Sequence, residues 1–234
     1  MSSRLTGLGL GLRDSLSIAM GYFPVAVSFG LAAVQAHFSP FMAVLISLTV
    51  YAGASQFVLT SLVAAGAGAF SVITTVWIMN IRHLFYGPSL LEKLGTLKNR
   101  LPLPALAWGL TDEVYAASMG RISHIPEVQR QGWYMGMQLG AYSAWVGGTV
   151  VGAVLGGSLG EQAQWVRDTL DFVLPALFVA LLLEMLRHAK LRVTVAAMLA
   201  SGLALLVLPG HVAMLLGLIA GAALGAYAAT KEAV

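Results

Sequence analysis

Cysteine is absent from this chain, and charged residues are scarce. Without cysteine there is no disulfide, no thiolate nucleophile and no cysteine-ligated metal site. Charged residues make up 10% of the sequence, whereas a soluble domain carries about 25%. A chain that is 58% hydrophobic cannot cover a globule with polar surface. These shortages exclude an ordinary soluble domain and favour a membrane protein.

The few charges leave long uncharged stretches between them. No Asp, Glu, Lys or Arg occurs in residues 15–81, 131–160 or 193–230. Each stretch exceeds the roughly 20 apolar residues that cross a bilayer. The net charge of +3 is spread singly over short connectors, which favours orientation in a membrane over nucleic-acid binding. The first apolar run is followed by more of its kind, so it is interpreted as an uncleaved first helix.

Dividing the apolar sequence at charges, prolines and glycines predicts an all-α integral membrane protein. It is a polytopic helix bundle of about eight transmembrane helices in a single domain, residues 1–234. The predicted spans are 14–36, 40–65, 69–91, 101–119, 131–157, 169–187, 192–209 and 210–229. If the fourth span does not cross fully, or the second is re-entrant, the count becomes seven.

The distribution of basic residues predicts that the N-terminus and the C-terminus lie in the cytoplasm. Arg4, Arg13, Arg121 and Arg130 then lie inside. The connector 92–100 is the weak point of this topology, because its three cations fall on the outer side.

Spans one to three and four to six can be aligned as a 3+3 inverted repeat with broken helices. Gly53-Ala54-Ser55 then falls near Gly140-Ala141-Tyr142-Ser143, and Arg82-His83 falls near Arg187-His188. Inverted repeats in transporters place the solute site between them at mid-depth. Either pair taken alone is better explained by chance.

The second span carries small and polar residues where a lipid-facing helix would use Leu, Ile and Val. Gly53, Ala54, Ser55 and Gln56 follow each other there. Such a segment permits helix unwinding, and the amide groups of a broken-helix N-terminus accept a substrate carboxylate. The alternative is tight helix packing, with Gln56 hydrogen-bonded across the interface.

Asp112 and Glu113 are an acidic pair inside the fourth apolar run. A carboxylate in lipid is costly, so it faces the bundle interior or an aqueous cavity. Gly109 and Thr111 just before the pair predict a helix break and restart, with Thr111 as N-cap. One carboxylate then binds an ammonium group or carries a coupled proton. The alternative is that the pair only caps an interfacial helix.

Two further residues near the end of the third span could take part in ion pairing or proton coupling. Arg82 either snorkels to the interface or pairs with Asp112 or Glu113 inside the membrane. His83 titrates near neutral pH, although a lone histidine on an apolar helix is often just hydrogen-bonded.

The fifth span repeats aromatic and amide side chains at helical spacing, through Tyr134, Gln138, Tyr142 and Trp145. These side chains could line an apolar pocket with polar groups, and core packing explains them equally well.

Glycine recurs at every fourth position in two spans. The fifth span contains Gly148, Gly152 and Gly156, and the eighth contains Gly217, Gly221 and Gly225. Such ladders allow close helix contact, within the chain or with a partner. The ladder on the last helix is a candidate partner-docking surface.

The sequence contains no HExxH, GxSxG or P-loop motif, so an enzyme is not expected, and no metal or cofactor is implied. Energy for transport must then come from an ion gradient, solute exchange or a partner. The competing hypothesis is a non-transporting membrane subunit that scaffolds or stabilises a larger complex.

Three of these segments together resemble the signature segments of the AzlC family. They are Gly53 to Phe57, Asn80 to Gly87 and Leu110 to Ala116, in that order. The resemblance covers about residues 14 to 229. AzlC proteins are the large subunits of bacterial branched-chain amino acid exporters.

The resemblance implies export of valine, leucine and isoleucine across the bacterial inner membrane, with methionine as a further candidate. It also implies coupling to the proton-motive force and a small AzlD-type membrane subunit as partner. The amides near Gly53 to Gln56 would then bind the carboxylate, and Asp112 or Glu113 the ammonium group. Phe57, Tyr142 and Trp145 are candidates for the apolar side-chain pocket.

Overall fold

The computed structural model describes residues 2–95, 101–158, 191–208, 212–213, 216–217, 219–221, 223–225 and 227. The helices are α1 Ser2–Asp14, α2 Leu16–Gln35, α3 Pro40–Thr49, α4 Gly53–Ala64, α5 Ala69–Asn80, α6 His83–Lys93, α7 Leu103–Ala107, α8 Asp112–Arg121, α9 Glu127–Ser158 and α10 Leu191–Leu205. A 3-10 turn, Ile122–His124, joins α8 to the segment before α9. The chain divides into two compact units, Met1–Leu174 and Pro175–Val234.

Two long helical stretches pack side by side in the first unit. α1 and α2 are separated by Ser15 alone, and both lie along α9. Gly132 of α9 lies against Arg4, and Gly152 lies against Val27, so the two stretches run in the same direction. We call the end at which α1 and α9 begin the near end, and the end at which α2 and α9 finish the far end.

Glycines allow α9 to approach α2 closely. A Cβ atom at Gly148 would lie 2.6 Å from the carbonyl oxygen of Phe23, and one at Gly152 would collide with the Val27 carbonyl. A Cβ atom at Gly156 would meet Val34 at 3.1 Å. Larger side chains would therefore push the helices apart. The ladder predicted in the fifth span thus makes its close contact within the chain.

The first helical stretch begins earlier than predicted. The predicted first span started at residue 14, but α1 already starts at Ser2. Gly7 and Gly11 lack side chains, so the α1 backbone packs directly against the backbone of Trp133 on α9, and α1 is thereby held as a helix beside α9. The small face of α1 was not recognised because its residues lie outside the main apolar run.

The second predicted span, 40–65, starts at the far end and descends. Ser39 caps α3 by accepting a hydrogen bond from the amide of Met42. Pro40 lies beside Gly157 near the end of α9. About two turns further along α3, the hydroxyl of Ser47 lies 2.7 Å from the hydroxyl of Thr149. α3 is therefore antiparallel to α9.

The chain turns after α3 and goes back in α4. Gly53, at the start of α4, lies against Trp145. Four residues later, Phe57 packs edge-on against Phe29 of α2, closer to the far end, with ring centroids 5.4 Å apart. The second predicted span is therefore a re-entrant hairpin that enters and leaves at the far end.

α5 and α6 together form a broken crossing. Asn80 donates from Nδ2 to the hydroxyl of Ser55 at 2.9 Å at mid-depth. The carbonyl of Lys93, at the end of α6, accepts from Nη1 of Arg130 at 3.0 Å at the near end. The third predicted span therefore crosses, but it is interrupted between α5 and α6.

The fourth predicted span, 101–119, starts at the near end. The amide of Leu101 donates to Oε1 of Gln131 at 3.0 Å. Gln138, two turns further along α9, donates from Nε2 to the carbonyl of Leu106 at 2.8 Å. α7 therefore rises beside α9 from the near end towards mid-depth.

α8 returns to the near end. Thr111 caps it by accepting from the amide of Val114, which confirms the predicted break and restart. Arg121, in the last turn, forms an ion pair with Asp14 at 3.1 Å, and Asp14 also accepts from the indole of Trp133. The fourth predicted span is thus a second re-entrant hairpin, opposite in direction to the first.

The two hairpins correct the predicted topology. Within residues 14–158, three helical stretches run between the near end and the far end, α1–α2, α5–α6 and α9, where the sequence predicted five spans. Lys93 lies at the same end as Arg130, and Gly95 lies against Glu127. The start of connector 92–100 therefore lies on the same side as Arg130, and the predicted placement of Lys93 and Arg130 on opposite sides is wrong.

The predicted 3+3 inverted repeat stays a prediction. It aligned Gly53, which begins α4, with Gly140, which lies within the unbroken α9. The structure does show two hairpins that enter from opposite ends, α3–α4 and α7–α8. The pair Arg187-His188 and the predicted span 169–187 lie outside the described residues.

Polar and apolar side chains are arranged as expected in a bilayer. Gln56, Gln131 and Gln138 are completely buried, whereas Phe70 and Phe85 are 84% and 74% exposed. A soluble protein would show the reverse. By length and composition, α2 and α9 are each able to cross a membrane.

In the second unit, the glycine ladder of the last predicted span packs on α10. A Cβ atom at Gly217 would lie 2.9 Å from the carbonyl of Ala197, and one at Gly221 would lie 3.2 Å from the Ala197 side chain. Gly225 faces Val193. The ladder is used for intramolecular packing, the alternative left open by the sequence, and its role in partner docking stays a prediction.

Candidate functional site

The tips of the two hairpins meet on one tyrosine of α9. Tyr51 is in the first tip, and its ring centroid lies 4.8 Å from that of Tyr142. Trp108 is in the second tip, and its ring centroid lies 4.6 Å from that of Tyr142. The Tyr142 hydroxyl donates to the carbonyl of Leu48 at 2.8 Å. Two segments of non-helical backbone are therefore held together at mid-depth.

The first tip has an unusual backbone. Tyr51 has a φ of 39°, in the left-handed region that L-residues rarely adopt. Such strained residues cluster at ligand sites and switch regions. The next residue, Ala52, is the N-cap of α4 and makes no side-chain capping bond. The first amide groups of α4 therefore carry partial positive charge without a side-chain acceptor at the cap.

A pocket of about 630 Å³ opens where the three helix breaks converge. Its polar residues are Tyr51, Asn80 and His83, and most of the remaining lining is apolar. Trp108 and Leu110 contribute the second tip. Several of its apolar lining side chains, among them Trp77 and Leu84, are exposed at the outer surface, so the pocket is an open groove.

Arg82 and Asp112 join the break between α5 and α6 to the start of α8. Arg82 Nε donates to Asp112 Oδ1 at 2.8 Å, and Nη2 donates to Oδ2, so the pair is bidentate. The hydroxyl of Tyr86 also donates to Oδ1 at 2.9 Å. Tyr86 is in turn stacked on Tyr115 with ring centroids 4.3 Å apart. Of the two partners predicted for Arg82, the structure shows Asp112.

Glu113 has a different environment from its neighbour. Its Oε2 accepts a hydrogen bond from the hydroxyl of Tyr22, which also lies 2.7 Å from the hydroxyl of Thr111. Tyr22 packs edge-on against Trp145, with ring centroids 5.2 Å apart. Within the described part of the chain, Glu113 has no ion-pair partner.

Gln56 is held in a closed polar network. It is completely buried, its Oε1 accepts from the indole of Trp145 at 2.7 Å, and its Nε2 donates to Ser47 at 3.1 Å. Ser47 is bonded in turn to Thr149. The geometry of Gln56 matches the packing alternative, in which its amide is bonded across a helix interface.

Asn80 and His83 border the pocket on the α5–α6 side. The Asn80 amide nitrogen donates to Ser55, and Nδ1 of His83 lies 3.0 Å from the Asn80 carbonyl. His83 also packs edge-on against Tyr86. His83 is therefore hydrogen-bonded at one ring nitrogen while its side chain lines the pocket.

Several buried polar atoms near the tips have no hydrogen-bond partner among the described residues. They include the hydroxyl of Tyr51 and Oδ1 of Asn80, both on pocket-lining residues. Buried polar groups are normally hydrogen-bonded, so water or a ligand is expected at these atoms.

The predicted site residues in the first unit fall into three groups around the tips. Gly53 and Ala54 begin α4 just after the pocket residue Ala52, and Tyr142 holds the tips together. Asp112 and Glu113 begin α8. Ser55, Gln56, Phe57 and Trp145 are buried behind the pocket rather than lining it.

Sequence reasoning did not select Tyr22, Tyr51, Tyr86 or Trp108. Tyr22 and Tyr51 were detectable in principle, because a buried tyrosine hydroxyl inside an apolar span needs a polar partner. Tyr86 and Trp108 depend on tertiary contacts made by the second hairpin and α6, which no local pattern reveals.

The chain was compared with known proteins. A family model described as AzlC protein matches residues 17–159. Inner membrane protein YgaZ of Escherichia coli (strain K12) is 38% identical, covering 90% of this chain and 86% of the relative. An uncharacterized membrane protein of Archaeoglobus fulgidus is also 38% identical, covering 79% of this chain and 78% of the relative.

A third relative has a functional name. The branched-chain amino acid transport protein AzlC of Bacillus subtilis (strain 168) is 28% identical, covering 73% of this chain and 64% of the relative. No solved structure matches the chain.

Proposed function

Because the chain belongs to the AzlC family, we propose that it is a secondary-active exporter of branched-chain amino acids in the bacterial inner membrane. Valine, leucine and isoleucine are the proposed substrates, with methionine as a further candidate. Export is driven by the proton-motive force and requires a small AzlD-type membrane subunit. The substrate class follows the name of the Bacillus subtilis relative.

The observation that carries this proposal is the pocket at the meeting point of the two hairpin tips. A zwitterion needs positive potential for its carboxylate, and the N-terminus of α4 beside Ala52 supplies it. It needs negative charge for its ammonium group, and the start of α8 supplies Asp112 and Glu113. Its aliphatic side chain needs an apolar wall, such as that formed by Val72 and Val76.

Opposed hairpins also suit alternating access. Each tip is reached from its own end of the bundle, and both tips lie against Tyr142. Movement of one hairpin would open the pocket towards one side while the other keeps it closed. We place the near end in the cytoplasm, because Lys93, Arg121 and Arg130 lie there.

A dipeptide-loading assay tests the proposal. Cells lacking this chain, fed a leucine-containing dipeptide, should accumulate leucine, and expression of the chain with its small subunit should restore efflux. A proton uncoupler should abolish the restored efflux. Intracellular leucine that stays unchanged on expression would reject the substrate and favour a non-transporting membrane subunit.

A further inference from the structure

Glu113 and Asp112 are adjacent acids at the start of α8, yet their partners differ. Asp112 Oδ1 accepts from Arg82 and from Tyr86, and Oδ2 accepts from the other nitrogen of the guanidinium. Its charge is already neutralised by a bidentate cation. A substrate ammonium group would have to displace the guanidinium in order to bind there.

Glu113 has no such cation. Its side chain is partly buried, it accepts from the hydroxyl of Tyr22, and the described residues give it no basic partner. A carboxylate inside a membrane bundle is costly unless it is protonated or paired with a cation. Glu113 is therefore available to a proton or to a cationic ligand.

A buried hydroxyl without a partner lies on the pocket side of this carboxylate. Tyr51 is 7% exposed, lines the pocket, and interacts electrostatically with Glu113 and Tyr22. Its hydroxyl has no hydrogen-bond partner among the described residues. An ammonium group has three N–H donors and needs acceptors of this kind.

The two acids at the start of α8 face different elements. Glu113 accepts from Tyr22, whose ring packs against Trp145, and the Trp145 ring lies against Gly53 at the start of α4. Asp112 is directed instead towards Arg82 at the α5–α6 break.

We infer that Glu113, and not Asp112, binds the ammonium group of the substrate, with Tyr22 positioning the carboxylate and Tyr51 as a further acceptor. The inference rests on the proposed function, since it takes an amino acid as the ligand. Asp112 instead fixes the start of α8 to the α5–α6 break through Arg82.

Binding to the full-length chain, purified together with its small subunit in nanodiscs, tests the inference. Radiolabelled leucine is the probe, and 4-methylpentanoate, which is leucine without its amino group, is the competitor. The wild-type protein should strongly prefer leucine. Glu113→Gln should lower leucine affinity by about tenfold to a hundredfold, the value of a charge-assisted hydrogen bond, and lose the preference. Asp112→Asn should keep the preference.

A second variant guards against a folding defect in Glu113→Gln. Glu113→Asp keeps the charge but withdraws the carboxylate by one methylene, so it should bind leucine more weakly while keeping the preference. Wild-type preference in Glu113→Gln, wild-type affinity in Glu113→Asp, or loss of preference in Asp112→Asn alone would each overturn the inference. A wild-type protein that binds neither leucine nor isoleucine would reject the proposed function itself.

Discussion

The bidentate contact between Arg82 and Asp112 is the strongest charged interaction near the pocket. Both side chains are partly exposed, at 47% and 41%, so solvent or substrate can reach them. This pair joins the α5–α6 break to the start of α8. Its contribution to the site is to fix the relative position of these two segments rather than to add net stability. Removing either charge leaves the other without its partner.

A charge exchange tests that role. Arg82→Gln and Asp112→Asn should each reduce leucine efflux strongly, because each leaves one charge unpaired beside the pocket. The double exchange Arg82→Asp with Asp112→Arg should recover part of the efflux if the pair acts as a link between breaks. Efflux would be measured at matched membrane protein levels. A double variant that is as inactive as the worse single variant would show that the two side chains have separate roles.

Another residue-scale prediction concerns the buried amide of Gln56. Trp145→Phe removes the indole donor and leaves Oε1 of Gln56 without its partner. A buried unsatisfied acceptor costs about 1–3 kcal/mol, so the unfolding temperature should fall. Trp77→Phe is the matched control, because Trp77 is 66% exposed. Equal unfolding temperatures for the two variants would contradict the buried network.

At the scale of elements, glycine sets how closely α9 packs on the α1–α2 stretch. Gly152→Leu should disrupt folding, since even a Cβ atom there would collide with the Val27 carbonyl. Overpacking of this kind costs about 1–3 kcal/mol or more. Gly147→Leu is the control, because no atom lies within 4 Å of a Cβ at that position. The yield of monodisperse protein in detergent distinguishes them, and equal yields would argue against this interface.

Sequence patterns predicted where helices start and pack closely better than they predicted the direction in which each apolar segment runs. The restart of a helix after Thr111 was predicted from an N-cap residue, and the close packing of Gly148, Gly152 and Gly156 from their spacing, because both depend on neighbouring residues. The re-entrant course of residues 40–65 and 101–119 was kept only as an alternative. A hairpin and a crossing have the same hydropathy, and only contacts such as Leu101 with Gln131 tell them apart.

The same limit applies to the candidate site. Asp112 and Glu113 were selected because a carboxylate inside an apolar run is unusual. Their different partners, Arg82 and Tyr22, come from segments 30 and 91 residues away in the chain, and one sequence carries no record of such pairing.

At the scale of the whole molecule, the positions of the near end and the far end decide how the proposed transporter is oriented in the membrane. Residues 92–95 and the turn before α9 lie together at the near end, whereas the α4–α5 connector lies at the far end. The absence of cysteine makes this testable, since any introduced cysteine is the only thiol in the chain. Glu92, Ser123 and Ala65 are exposed at these positions.

Single-cysteine labelling with a membrane-impermeant maleimide should therefore give two patterns. Ala65→Cys should be labelled in intact spheroplasts, because the far end faces outward when the basic near end is cytoplasmic. Glu92→Cys and Ser123→Cys should be labelled only after permeabilisation. If all three labelling patterns were reversed together, the two hairpins would be supported, but the near end would face outward instead of the cytoplasm. If Glu92 and Ser123 reacted from opposite sides, α7 and α8 would have to cross the membrane, and the second hairpin would be wrong.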